Sequence, residues 1–159
     1  MAAYQESDDF LEPQMLRLAL TTASYMGLLT LLAVATPGVG LVGVGISIVP
    51  DHLRGWAHVP MYGGLAWLVI YSARARGWPV ASAVIVGVAF SMTFGVWMEL
   101  AQISAPGREP SIEDLLFDGL GVIMAALCAV GFATWRITGW LPFILGFKPA
   151  ALSHDRSAR

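Results

Sequence analysis

The chain holds a single cysteine, Cys128, inside an apolar run, so an internal disulfide and a cysteine metal cluster are both excluded. Charge is scarce as well: Asp, Glu, Lys and Arg make up 13% of the 159 residues, about half the share of an ordinary soluble domain. With nine Lys and Arg, most of them flanking apolar runs, there is no basic surface for nucleic acid. Period-two alternation and internal repeats are both missing, which leaves no strand pattern. Residues 38–49, GVGLVGVGISIV, have neither the glycine spacing of a phosphate loop nor a following Lys-Ser/Thr pair. No cofactor is assigned.

What fills the chain instead is apolar: 57% of residues are hydrophobic and the mean hydropathy is +0.67. Four segments approach the length of about 20 residues that a membrane-crossing helix needs: roughly 15–35, 59–72, 79–104 and 112–135. The second is short and borrows Ala57 or Ala73. The nine prolines, at 13, 37, 50, 60, 79, 106, 110, 142 and 149, are expected at or near helix ends, where a missing N–H does little harm. Ala33-Val34-Ala35 mimics a signal-peptidase site. The acidic Glu6, Asp8, Asp9 and Glu12 before it are wrong for a secretory leader, so a retained first span is expected.

The reading is an all-α polytopic membrane protein: a four-transmembrane-helix bundle, with 38–49 as a re-entrant or interfacial segment and Trp140, Phe143 and Phe147 marking an interfacial C-terminal segment. Residues 1–14 form a tail, 15–138 one transmembrane domain, and 139–159 the interfacial segment and a second tail. The N-terminus, the turn at 71–78 and the C-terminus share one side, which holds Arg17, Arg74, Arg76, Arg136, Lys148, Arg156 and Arg159, against only Arg54 and Arg108 on the other. Positive-inside placement puts both termini in the cytoplasm and the remaining loops outside. Small residues recur every four positions as Ala83, Gly87, Ser91 and Gly95, and again as Gly121, Ala125, Ala129 and Ala133, which would let the last two spans pack closely.

Polar groups concentrate where those two spans meet. A charge in hydrocarbon costs about 2.5–3.5 kcal/mol on insertion scales, so such groups persist where they face a bundle interior or a wet cavity. Glu99 and Gln102 share one helix face, three residues apart, in line with the small-residue row. Glu99 can alternatively snorkel to water. Arg108, after Pro106-Gly107, offers a fork that grips a carboxylate or phosphate, or else pairs with Glu99 or Asp114. Ser111 and Asp114 fit a helix start, with Ser111 as N-cap. Asp118 lies four residues beyond Asp114 on the same face, and two nearby carboxylates resist joint ionisation unless a cation, a proton or Arg108 compensates. His58, four residues before Tyr62, can change charge near neutral pH or coordinate a metal, or simply form a wetted hydrogen bond. His58, Glu99, Asp114 and Asp118 have the donor types for a metal site but no tight metal motif, and no metal is assigned.

In this order the residues resemble the VanZ-like family, named after a teicoplanin-resistance protein. The match covers about residues 51–133: His58 with Tyr62, Glu99-x-x-Gln102, Pro106-Gly107-Arg108, Ser111, Asp114 and Gly121. It implies a small polytopic protein of the bacterial inner (plasma) membrane with a role at the cell envelope. Arg54 and Gly55 stand where the family commonly has Asp-Lys, and Asp118 stands where it usually has Asn, which adds a negative charge and removes an amide donor.

Three functions follow as expectations. In the first, His58, Tyr62, Glu99, Gln102, Arg108, Ser111, Asp114 and Asp118 form an outward-facing site that binds or modifies an anionic or glycosylated envelope component, an envelope lipid or a glycopeptide-type ligand. A catalytic version would use His58 as general acid or base with Glu99 or Asp118 orienting it, but no nucleophile stands out and the reading leans away from an enzyme. In the third, the chain is an accessory subunit of a respiratory, photosynthetic or secretion complex, and the polar cluster locks its own helices. Membrane lipids are partners in all three, and other membrane subunits in the last.

Overall fold

The computed structural model describes residues 2–137, and for 2–12, 51–52 and 134–137 the backbone alone. The expected interfacial segment and C-terminal tail lie outside the described residues. Five helices and no strand occur among the described residues: α1 (Ala2–Val34), α2 (Gly40–Ile48), α3 (Asp51–Ala75), α4 (Val80–Gln102) and α5 (Ile112–Ile137). Three stretches, Pro13–Val34 in α1, Val80–Gln102 in α4 and Ile112–Ala133 in α5, are long and apolar enough to cross a membrane. At about 1.5 Å per residue each reaches about 33 Å, close to the thickness of a hydrocarbon core. α3 is as long, but Arg54, His58 and Arg74 make it more polar.

Beside its apolar core, the bundle buries several polar side chains and exposes large apolar ones. Ser91, Glu99, Gln102 and Asp118 are buried, while Trp97, Leu116, Leu127, Ile85 and Leu16 are each more than 60% exposed. Such an outer surface suits lipid and far exceeds the apolar patches that monomers show to water.

α3 is the central helix, packed on α5, α4 and α1. Leu65 and Ala66 of α3 are fully buried in a cluster with Leu29 of α1 and Val122 and Ala125 of α5. Glycine makes the closest approaches possible. A Cβ at Gly121 would lie 2.0 Å from the Val59 carbonyl oxygen, and one at Gly63 would lie 3.0 Å from the Gly121 carbonyl oxygen. α3 and α5 therefore touch backbone to backbone. On the adjoining face, Gly64 leaves room for Tyr25, whose hydroxyl donates to the Met61 carbonyl at 2.9 Å. The two small-residue rows were expected to join α4 to α5, but Gly87 faces Ala66 and Ile70 and Gly121 faces Val59 and Gly63, all on α3. Gly95, against Asp118, serves the α4–α5 seam, and Ala129 of α5 packs on the cluster that holds Ala83 of α4.

Two further departures concern helix extents. Pro13 and Pro60 lie inside α1 and α3, away from their ends. Pro60 forfeits one intrahelical hydrogen bond, yet α3 continues because it is packed on three sides. Residues 40–48 form a nine-residue helix despite their glycines. Gly38 and Gly40 turn the chain with φ of 77° and 66°, and Gly43 sits where a Cβ would meet the Thr36 carbonyl oxygen at 2.1 Å. Between α3 and α4, Gly77 adopts φ 81°, its N–H donates to Arg74 O and the Trp78 N–H to Ala73 O. This paired closure is the usual glycine stop of a helix.

Candidate functional site

Four elements of sequence converge at one end of the bundle. The first two turns of α3 bring Arg54 and His58, the last turn of α4 brings Glu99 and Gln102, the connecting loop brings Arg108 and Ser111, and the start of α5 brings Asp114 and Asp118. A cleft of about 450 Å³ opens there, lined by Arg54, Trp56, His58, Gln102, Arg108 and Asp114, with Glu109 and Glu113 also on its lining. Trp56 and Phe117, with ring centroids 5.0 Å apart, form an aromatic wall. Gly55 admits Phe117, since a Cβ there would be 2.9 Å from the Phe117 ring.

The loop is organised by capping. Ser111 Oγ accepts the Asp114 N–H at 3.3 Å, the N-cap bond expected from the sequence. In a capping box the acid three residues on would return to the N-cap N–H. Here Glu99 takes that place from the preceding helix, its Oε2 accepting the Ser111 N–H at 2.7 Å. A buried carboxylate at a helix N-terminus is stabilised by the unpaired N–H groups and the helix dipole. Because Glu99 serves the cap, the Asp114 carboxylate is free to face the cleft. Gln102 Nε2 leans on Glu99 Oε1 at 3.4 Å.

Arg108 departs from expectation. It pairs with no carboxylate among the described residues; its Nε donates to Ala35 O at 3.1 Å and its Nη2 to Leu32 O at 2.8 Å. These are carbonyls at the C-terminal end of α1, where a cation meets the negative end of the helix dipole. Burial first, and then the nearby Arg54 cation, lower the Arg108 pKa from its ordinary value, while Asp114 and Glu99 act in the opposite direction. Backbone acceptors leave no mark in a sequence, so nothing there foretold this clamp.

His58 is the hub. Its Nδ1 lies 2.8 Å from Asp118 Oδ1, and its Nε2 lies 3.8 Å from Asp114 Oδ2. The second distance is too long for a hydrogen bond. Asp118 is 0% exposed and its Oδ2 has no hydrogen-bond partner. That oxygen fits the notch at Gly95, where a Cβ would lie 2.7 Å from it. Tyr62 does not line the cleft. It is buried beneath His58, its ring nearly parallel to the imidazole at a centroid distance of 5.9 Å.

One donor atom each from His58, Glu99 and Asp114 lies within 4.8 Å of the others. The site thus combines one imidazole and three carboxylates, and it is acidic on balance. Arg108 has committed two donors to α1, so fixed cations do not dominate it. His58 is the shared neighbour of the acids: it meets Asp118 at 2.8 Å and groups with Glu99 and Asp114. No family model, curated protein or solved structure matches the chain.

Proposed function

We propose that the chain is a VanZ-like integral membrane protein that crosses a bacterial inner membrane four times, with α1, α3, α4 and α5, and has both termini in the cytoplasm. On this reading α2 lies in the interface. The cleft faces outward and binds the polar head of an envelope lipid or a related glycosylated component. One observation carries the proposal: a polar cleft bordered by Arg54, His58, Gln102 and Asp114 lies at the ends of helices whose outer surfaces are apolar. A lipid there keeps its chains along the bundle while its head meets the cleft. Of the residues of the VanZ-like resemblance, His58, Gln102, Gly107, Arg108 and Asp114 line this cleft and Glu99 and Ser111 adjoin it through the cap, while Tyr62 and Gly121 are packed inside the bundle.

The test is the thermal stability of the purified full chain in detergent, with added phosphatidylglycerol, a polyprenyl phosphate or a glycosylated polyprenyl lipid. One of these is expected to raise the Tm by several degrees, and His58→Ala and Gln102→Ala to remove that shift. Equal response of wild type and both variants to every lipid overturns the reading.

A second reading, an accessory subunit of a larger membrane complex, draws support from the staples. Arg108 closes α1, Glu99 and Ser111 cap α5, and both serve the chain's own helices. Purification in mild detergent with a stoichiometric membrane partner, and no lipid-dependent stabilisation, would favour it. The staples leave the His58–Asp118 pair unexplained.

A further inference from the structure

We propose that the floor of the cleft is a binding site for a divalent first-row metal ion, with His58 Nε2 and one carboxylate oxygen each from Glu99 and Asp114 as ligands, and with Asp118 holding the imidazole in register. The proposal shares its location with the headgroup site and rests on that reading only for the ion's role, since open coordination positions would receive a phosphate or hydroxyl oxygen.

The argument begins at Nδ1. An imidazole that donates from Nδ1 to a buried carboxylate is fixed in one tautomer and leaves a lone pair at Nε2. The Asp118 contact at 2.8 Å does this for His58. Carboxylate–histidine–metal arrangements use the same connection to orient the ring and raise its basicity. Nε2 is not spent elsewhere, since its nearest carboxylate oxygen, on Asp114, is 3.8 Å away. At metal–ligand bonds of about 2.0–2.2 Å, two ligands of a tetrahedral ion stand about 3.3–3.6 Å apart. One ligand-type atom from each of His58, Glu99 and Asp114 lies within 4.8 Å of the other two, so the three side chains close around an ion through shifts of about an ångström. One nitrogen and two oxygens match zinc, and three protein ligands leave a position open to an outside group.

A second observation stands apart from the three ligands. Asp118 is 0% exposed, one of its oxygens is hydrogen-bonded to the imidazole, and the other has no hydrogen-bond partner. A buried carboxylate so poorly satisfied is costly unless positive charge faces it. An ion on the far side of the imidazole supplies that charge through the ring. The competing source is a proton, which would make His58 an imidazolium between Asp114 and Asp118 with no metal.

The experiment uses the full chain in detergent, stripped with a chelator and titrated with zinc alone, without lipid. Calorimetry and metal content are expected to give one ion per chain, and cobalt(II) in its place to give visible absorption bands of a low-coordinate site. Asp118→Asn is expected to weaken zinc affinity about 10–100-fold, and His58→Gln and Asp114→Asn to weaken it at least as much, each variant being checked for helix content and monodispersity. Wild-type titration needs no variant, so a folding failure leaves the test intact. No stoichiometric binding of zinc, cobalt or manganese by wild type overturns the proposal, as does unchanged affinity in His58→Gln. Lipid stabilisation of chelator-treated protein that binds no metal would retain the headgroup reading and end this one; zinc binding without any lipid response would do the reverse.

Discussion

The Nδ1 atom of His58 lies 2.8 Å from Oδ1 of Asp118, a residue 60 positions away on the neighbouring helix and wholly buried. Removing one member of a buried pair leaves the other uncompensated, which typically costs about 3–5 kcal/mol. Asp118→Ala is therefore expected to lose stability on that scale, and Asp118→Asn less, because the amide keeps the shape. A double-mutant cycle with His58→Gln should give a coupling of about 1–3 kcal/mol. Equilibrium unfolding in detergent reads both, and additive losses would mean the two side chains do not interact.

Glycine substitutions on α5 test the backbone seam. Gly121→Ala forces a Cβ to within 2.0 Å of the Val59 carbonyl oxygen, so α3 and α5 must separate. A loss of about 1–3 kcal/mol or more is expected from such overpacking. Gly119→Ala, whose Cβ would meet only Met92 at 3.8 Å, should be neutral or gain up to about 1 kcal/mol from helix propensity. Similar melting temperatures for the two variants would contradict the packing described.

Arg108 supplies a third comparison. Hydrogen bonds from a charged group contribute about 1.5–3 kcal/mol, so Arg108→Ala is expected to destabilise on that order. Arg108→Lys should recover only part, because an ammonium cannot span both the Leu32 and Ala35 carbonyls as the fork does. Hydrogen exchange should quicken in the last turn of α1 and the loop at 103–111 while the centre of α4 remains protected. Exchange that stays slow at the end of α1 in Arg108→Ala would refute the clamp.

Much of this arrangement is written in the chain. The helix expected at 79–104 is found as Val80–Gln102, and the one at 112–135 as Ile112–Ile137, because Pro79 and the Ser111 cap punctuate apolar runs. α3 was legible only in part: 59–72 was expected and Asp51–Ala75 is found. Its first half carries Arg54, Gly55, His58 and Pro60, which read as a loop, and tertiary packing on α5 overrides that local preference. Within the site, the spacings Glu99–Gln102 and Asp114–Asp118 followed from helix period. The His58–Asp118 contact did not, since it depends on how two helices meet. The Arg108 contact to α1 has no signature in the sequence, because backbone acceptors belong to every residue alike.

The hold of Arg108 on the end of α1 also bears on the order of assembly. Both acceptor carbonyls emerge from the ribosome some seventy residues ahead of the guanidinium that needs them. The loop reaches this arrangement only with the N-terminal helix seated beside it, and a fragment starting after residue 40 would leave that arginine without either acceptor.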